Sequence, residues 1–230
     1  MIEGIRLVAF DADDTLWSSE PLFRNAERRV AEMLSAFGDF EYISDELYKT
    51  ESRNMPDLGF GAKPYIISMI ETAARISGSL TAEQIDGIVD SGREILRNPA
   101  TPLPGVEETL QTLCDDGRYR LAMLTKGDLL EQERKVERSG LGKYFGHIEI
   151  VSDKNARVYS SLCDRLGYAP EEMLMVGNSF KSDIDPVLKL GGWGIHIPFE
   201  VLWKLEHIEE YDHPRLLRLS SITQLPAVLL

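Results

Sequence analysis

Near the start of the chain six residues, IRLVAF at positions 5–10, run almost without interruption through apolar and β-branched side chains and stop at the acidic sequence DADDT. The run is too short for a core helix, and it lacks the apolar–polar alternation of a strand with one wet face. A strand that is apolar on both sides must be covered on both sides. That requirement places it inside a parallel sheet layered between helices. Ligands of such open sheets bind beyond the carboxyl ends of the strands, which is where Asp11 and Asp13 would stand.

From Gly105 onward the sequence alternates in texture. A helical pattern through Val106, Leu110, Leu113 and Cys114 stops at Gly117, and a strand follows over 119–124. A helix over 129–139 leads to a short strand over 148–151. A helix carrying Tyr159, Leu162, Cys163 and Leu166 stops at Gly167. Strand 173–176, a helix ending near Gly191 and strand 193–197 complete the series. Such alternation predicts parallel strands joined by right-handed crossovers. The first strand belongs to the same sheet, so the material between is an insertion.

That insertion reads as helical from about residue 18 to 96. Thr81 and Gln84 form a candidate capping box, followed at helical spacing by Ile85, Ile88, Val89, Gly92, Ile95 and Leu96. A second helix shows Ile66, Ile67, Ile70, Ala73 and Ala74 on one face. Glycine and proline in NMPDLGFGAKP, residues 54–64, break the helices, and NPATPLP, residues 98–104, leads back to the core. The expected fold class is α/β, with a core of residues 1–16 and 104–230 and a helical module of residues 17–103.

Composition narrows the partners. The net charge of -13 disfavours nonspecific nucleic-acid binding. No apolar run nears the ~20 residues of a membrane span, and the N-terminus lacks signal-peptide zones. Cys114 and Cys163 lie on the apolar stripes of predicted helices and read as reduced core residues without ligand spacing. A cytoplasmic monomer or homodimer is expected.

Four local signals carry chemistry. In DADDT, two carboxylates two residues apart can share one site: one can attack phosphorus, the other can exchange a proton with the leaving oxygen and with water, and both suit a hard cation. Thr125 closes the strand YRLAML, where a hydroxyl can hold a phosphate oxygen, and Lys126 follows it. Lys154 precedes a helix in VSDKNARVY. In VGNSFKSD, residues 176–183, Asn178 and Asp183 can serve magnesium. Singly, each has a plain structural reading as a turn, a helix cap or a solvated lysine.

Together, in this order and at successive strand ends, DxDxT, strand–Thr, Lys before a helix and strand–GNxxxxD resemble the phosphatase branch of the haloacid dehalogenase superfamily over the whole chain. The resemblance implies a Rossmann-like three-layer α/β/α core with a helical cap after the first motif, and an obligatory Mg2+. It implies Asp11 as nucleophile, Asp13 as general acid and base, Thr125 on the phosphate, and Lys154 beside Asp11. The metal would lie on Asp11, the Asp13 carbonyl and either Asn178 or Asp183. Many relatives carry aspartate at the position of Asn178, which leaves that last choice open.

The alternatives are a 2-haloacid dehalogenase, a phosphomutase, a phosphoacceptor signalling domain and an inactive magnesium-binding module. The dehalogenase has no use for Asp13, the signalling domain is about half as long, and the intact residue set speaks against the inactive module. The expected substrate is a small phosphorylated metabolite. Trp17, Phe23, Phe60 and Tyr65 lie near the expected cap–core mouth and read first as packing. Hinges for cap movement are expected near residues 17–20 and 98–104.

Overall fold

A computed structural model describes residues 2–230. Six parallel strands form one sheet: β1 (Leu7–Phe10), β2 (Arg120–Lys126), β3 (His147–Val151), β4 (Met173–Gly177), β5 (Trp193–His196) and β6 (Leu216–Arg218), in the order β3-β2-β1-β4-β5-β6. β1 lies at the centre and is buried along its whole length. Its alternate side chains serve two cores. Val8 and Phe10 pack with Met123, Leu174 and Val176 against helix α5 (Val106–Asp116) through Val106, Leu110 and Leu113. Leu7 and Ala9 pack with Ala122, Leu124, Met173 and Met175 against helix α7 (Ala156–Leu166) through Tyr159, Leu162 and Cys163. This is the three-layer arrangement that an apolar, non-alternating strand requires.

Between β1 and α5 stand four helices: α1 (Glu20–Met33), α2 (Phe40–Leu58), α3 (Ala62–Ser77) and α4 (Ala82–Leu96). They bury a separate cluster that includes Val30, Leu34, Ile43, Leu47, Met69, Ile88 and Ile95. The Thr81–Gln84 capping box at the start of α4 is present in both directions. Two stretches join the helices to the sheet side by side: Trp17 bridges to Pro102, and the Leu103 amide donates to the Leu16 carbonyl at 2.8 Å.

Helices α6 (Leu129–Ser139), α8 (Asp185–Lys189) and α9 (Leu225–Leu229) complete the fold. Among the described residues no helix is long and apolar enough to cross a membrane.

Several expectations shift by a residue or a turn. The helix break predicted from residue 54 begins only at Gly59, because α2 runs through Pro56 in its last turn to Leu58. The inner face of α3 is Tyr65, Met69 and Ala73 rather than Ile67, which is 48% exposed. Ile66 still enters, over Gly92, where a Cβ would collide with its side chain. Cys114 is exposed, because Val106, Leu110 and Leu113 already define the buried stripe of α5; Cys163 is buried as expected. Strand β6 has three residues, too few for a periodic signal.

Candidate active site

The register of the sheet aligns Phe10 with Met123 on one side and Val176 on the other. The residues that follow these strands therefore emerge at one edge. Asp11 is anchored there by its own amide, which donates to the Val176 carbonyl at 2.9 Å. Thr125 closes β2, Lys154 follows β3 by three residues, and Asn178 follows β4. All four line one cavity of about 210 Å³ with Asp13, Lys126 and Asp183, so every residue singled out from the sequence is brought together.

Lys154 is the hub of the floor. Its buried ammonium donates to Asp11 Oδ1 at 2.5 Å and to Asp183 Oδ1 at 2.7 Å. Burial pushes the Asp11 pKa up to about 7, against the pull of Lys154, while its two acidic neighbours raise the Lys154 pKa despite burial. Asp183 is placed by one wide turn of π-helix (Phe180–Ile184), a feature that often marks functional sites. Its Oδ2 accepts from the Ser179 amide at 3.0 Å, and it lies so close to Gly177 that a Cβ there would meet the carboxylate.

Three buried polar atoms on residues lining this cavity, Asp11 Oδ2, Thr125 Oγ1 and Gln132 Oε1, have no hydrogen-bond partner. Orphans of this kind are rare and call for a ligand.

Asp13 occupies a different setting. Its carboxylate accepts from Trp17 Nε1 at 2.7 Å, Gln132 Nε2 at 2.8 Å and Lys135 Nζ at 2.9 Å. Burial alone would raise its pKa, but Lys135, Gln132 and Trp17 outweigh it and hold the carboxyl below its usual range. Lys135 is 1% exposed and pairs also with Glu131 at 3.0 Å. Asp14, at φ 63, turns the chain away from the site, and its carboxylate accepts from the Ser19 and Glu20 amides at the start of α1.

The sequence reading missed Gln132 and Lys135, which share a face of α6 but lie 119 and 122 residues from Asp13. It missed Glu206 too, and here no local signal existed. Glu206 accepts from Lys126, Ser179 and Ser182, each at 2.5 Å. Lys126 Nζ also stands 4.1 Å from the centre of the Phe60 ring. Lys126 therefore lines the cavity with its charge already neutralised. Of the four aromatics near the mouth, Trp17 packs in the core below the sheet edge, whereas Phe23, Phe60 and Tyr65 line the cavity.

Among the described residues no three His, Cys, Asp or Glu side chains group as a metal cluster. Magnesium needs less, since one or two carboxylates with neutral oxygens and water suffice. Two oxygens in the cavity are free or nearly free to take part, the unpartnered Asp11 Oδ2 and the Asn178 amide oxygen. Asn178 Oδ1 accepts only one long bond, from Thr15 Oγ1 at 3.4 Å, whereas both Asp183 oxygens are engaged.

A family description, haloacid dehalogenase-like hydrolase, matches residues 5–191. Among curated relatives, a glyceraldehyde 3-phosphate phosphatase from Methanopyrus kandleri is 27% identical over 187 residues, 78% of each chain. A phosphoglycolate phosphatase from Haemophilus influenzae is 27% identical over 78% of this chain and 79% of its own. Among solved structures, a haloacid dehalogenase-like family hydrolase from Xanthomonas campestris superposes with a TM-score of 0.88 at 37% identity, covering 98% of this chain and 91% of its own.

Proposed function

The chain belongs to the haloacid dehalogenase-like hydrolases, and on that premise we propose that it is a Mg2+-dependent phosphomonoesterase working through an aspartyl-phosphate on Asp11. The observation that carries the reading is the pair of buried, unpartnered atoms, Asp11 Oδ2 and Thr125 Oγ1, in one cavity at the sheet edge. A carboxylate oxygen lacking a donor and a hydroxyl lacking an acceptor match a phosphate ester, which offers an electrophilic phosphorus and anionic oxygens.

In this reading Thr125 donates to a phosphate oxygen, and Lys154 draws Asp11 toward its ionised form and aims it. The Asp11 carboxylate attacks phosphorus, the ester P–O bond breaks, and the leaving oxygen takes a proton from Asp13. Asp13, now a carboxylate, removes a proton from water, which attacks the acyl phosphate, releases inorganic phosphate and restores Asp11. Asp11, the Asp13 carbonyl and Asn178 would hold a magnesium ion, which would supply neutralisation of the negative charge on the carboxylate and the phosphate. Trp17, Gln132 and Lys135 hold Asp13 in the charged form that the water step needs. For the first step Asp13 takes up one proton from solvent as the ester binds, exchanges these donors for the ester oxygen and delivers that proton to it; the proton then taken from water restores the acid.

Asp13 also separates this reading from a dehalogenase, which has no leaving oxygen to protonate. A phosphomutase would share every step but the final acceptor.

The test is turnover of p-nitrophenyl phosphate with Mg2+. Asp11→Asn is expected to abolish it, and Asp13→Asn to lower kcat by a factor of at least ~100. A folded Asp11→Asn protein with wild-type turnover rules out the covalent route.

A further inference from the structure

Away from the sheet edge the lining of the cavity changes character. Glu20 and Glu27 of α1 and Glu51 of α2 contribute to it, together with the rings of Tyr48, Tyr65 and Trp203. Among the described residues none of these three carboxylates has a basic partner within 4 Å. The lysines of the cavity are engaged elsewhere: Lys154 with Asp11 and Asp183, Lys126 with Glu206, and Lys204 with Asp45. The remaining cation in the lining is Arg24, which is solvent-exposed.

The two ends of the cavity are therefore chemically opposite. At one end, two buried unpartnered atoms, Asp11 Oδ2 and Thr125 Oγ1, stand beside Lys154 and call for an anion. At the other, three half-buried carboxylates share aromatic walls. We infer that the alcohol portion of the substrate carries a protonated amine, so that an aminoalkyl phosphate places its phosphate at Asp11 and Thr125 and its ammonium among Glu20, Glu27 and Glu51. This inference rests on the phosphatase reading for the position of the phosphate.

The physical case is one of unmet electrostatic demand. Burial, with repulsion from neighbouring carboxylates, pushes both Glu20 and Glu51 up to about 8. A cation among them relieves that repulsion and restores the charged forms. The rings of Tyr65 and Trp203 line the same cavity, where aromatic quadrupoles attract ammonium. A neutral alkyl chain leaves the demand unmet, and a terminal carboxylate opposes it. An ester with a negatively charged tail, such as phosphoglycolate, is thus the least suited of small phosphates.

The experiment compares 2-aminoethyl and 3-aminopropyl phosphate with ethyl and propyl phosphate and with phosphoglycolate, in Mg2+ at pH 7. The aminoalkyl ester is expected to exceed the alkyl ester of equal length by about tenfold in kcat/KM, as suits a partly buried charged contact, with phosphoglycolate last. Glu27→Gln and Glu51→Gln, made singly, are expected to shrink that ratio; because the ratio is taken within each variant, a general loss of activity does not imitate the effect. Turnover of p-nitrophenyl phosphate without an ammonium preference overturns the inference and leaves the reaction reading intact. No turnover of any ester overturns the reaction reading. The ammonium site is then decided by calorimetric titration with 2-aminoethylphosphonate against ethylphosphonate: equal or weaker binding of the amine overturns it, and about tenfold tighter binding supports it.

Discussion

On the proposed reading, Asn178 and Asp183 divide between them what a single acidic residue does at many magnesium sites. Asp183 is the more buried, at 1% exposure, and both of its oxygens are bound, one by Lys154 and one by the Ser179 amide. Its charge is thereby directed at holding Lys154, and through it Asp11. The Asn178 oxygen accepts one long bond and remains open toward the cavity. A neutral amide in place of a carboxylate weakens the attraction for a hard cation. Asn178→Asp is therefore expected to lower the Mg2+ concentration for half-maximal activity by about tenfold, and Asp183→Asn to lower kcat while changing that concentration by no more than about twofold. Magnesium titrations of turnover decide, and the reverse pattern would move the ligand to Asp183.

At the scale of elements, the stretch between β5 and β6 has little regular structure beyond one 3-10 turn, Lys204–Glu206, yet it closes one side of the cavity. What fastens it is Glu206, bonded to Lys126 at the end of β2 and to Ser179 and Ser182 after β4. Although burial works against its charge, Lys126 and the two hydroxyls hold its pKa at about 2. The folded value lies below the unfolded one. The stabilisation is therefore complete above the unfolded pKa and is lost as the pH falls from there toward the folded pKa. Glu206→Gln is expected to cost on the order of 3 kcal/mol at pH 7, and the gap from wild type is expected to shrink to roughly 1 kcal/mol by pH 3. Urea unfolding of both proteins at the two pH values measures this; a gap that does not change with pH refutes the ion-pair account.

The whole molecule consists of a sheet with its covering helices and a four-helix block that roofs the cavity. Arg138 of α6 donates to the Leu96 and Asn98 carbonyls, Phe60 packs on Trp203 and Lys126, and three further polar contacts hold the roof. The Ala62 amide at the start of α3 donates to Glu131 at 2.9 Å, Lys63 pairs with Asp128 at 2.8 Å, and Lys204 pairs with Asp45 at 2.8 Å. The two ion pairs are exposed, and pairs of this kind contribute only about 0–1 kcal/mol each; two short connections bridge the parts. The block is therefore expected to rotate about residues 17–20 and 98–104 when a phosphate analogue binds, shielding the acyl phosphate from bulk water. Crystals with and without vanadate in different lattices test this, and an unchanged orientation in all of them argues for a fixed roof.

Much of this was legible in the sequence because strand ends are local. The apolar run before Asp11 sets it at the centre of a parallel sheet, and Thr125, Lys154 and Asn178 each sit a few residues past a readable strand. Backbone register alone then gathers them, whatever the side chains elsewhere do. Contacts set by helix rotation or by an irregular segment were not legible. Lys135 reaches Asp13 across 122 residues of chain, and Glu206 reaches Lys126 across 80. Neither pairing leaves a pattern near its own position. The packing of Ile66 of α3 turned on the small size of Gly92 in a neighbouring helix. Sequence by itself determined the layers, the strand edge and the reacting residues, since those follow from periodicity and burial along one stretch of chain. Tertiary structure alone decided which charges neutralise one another and which are left facing the cavity, because a buried charge takes its partner from whatever element packs against it.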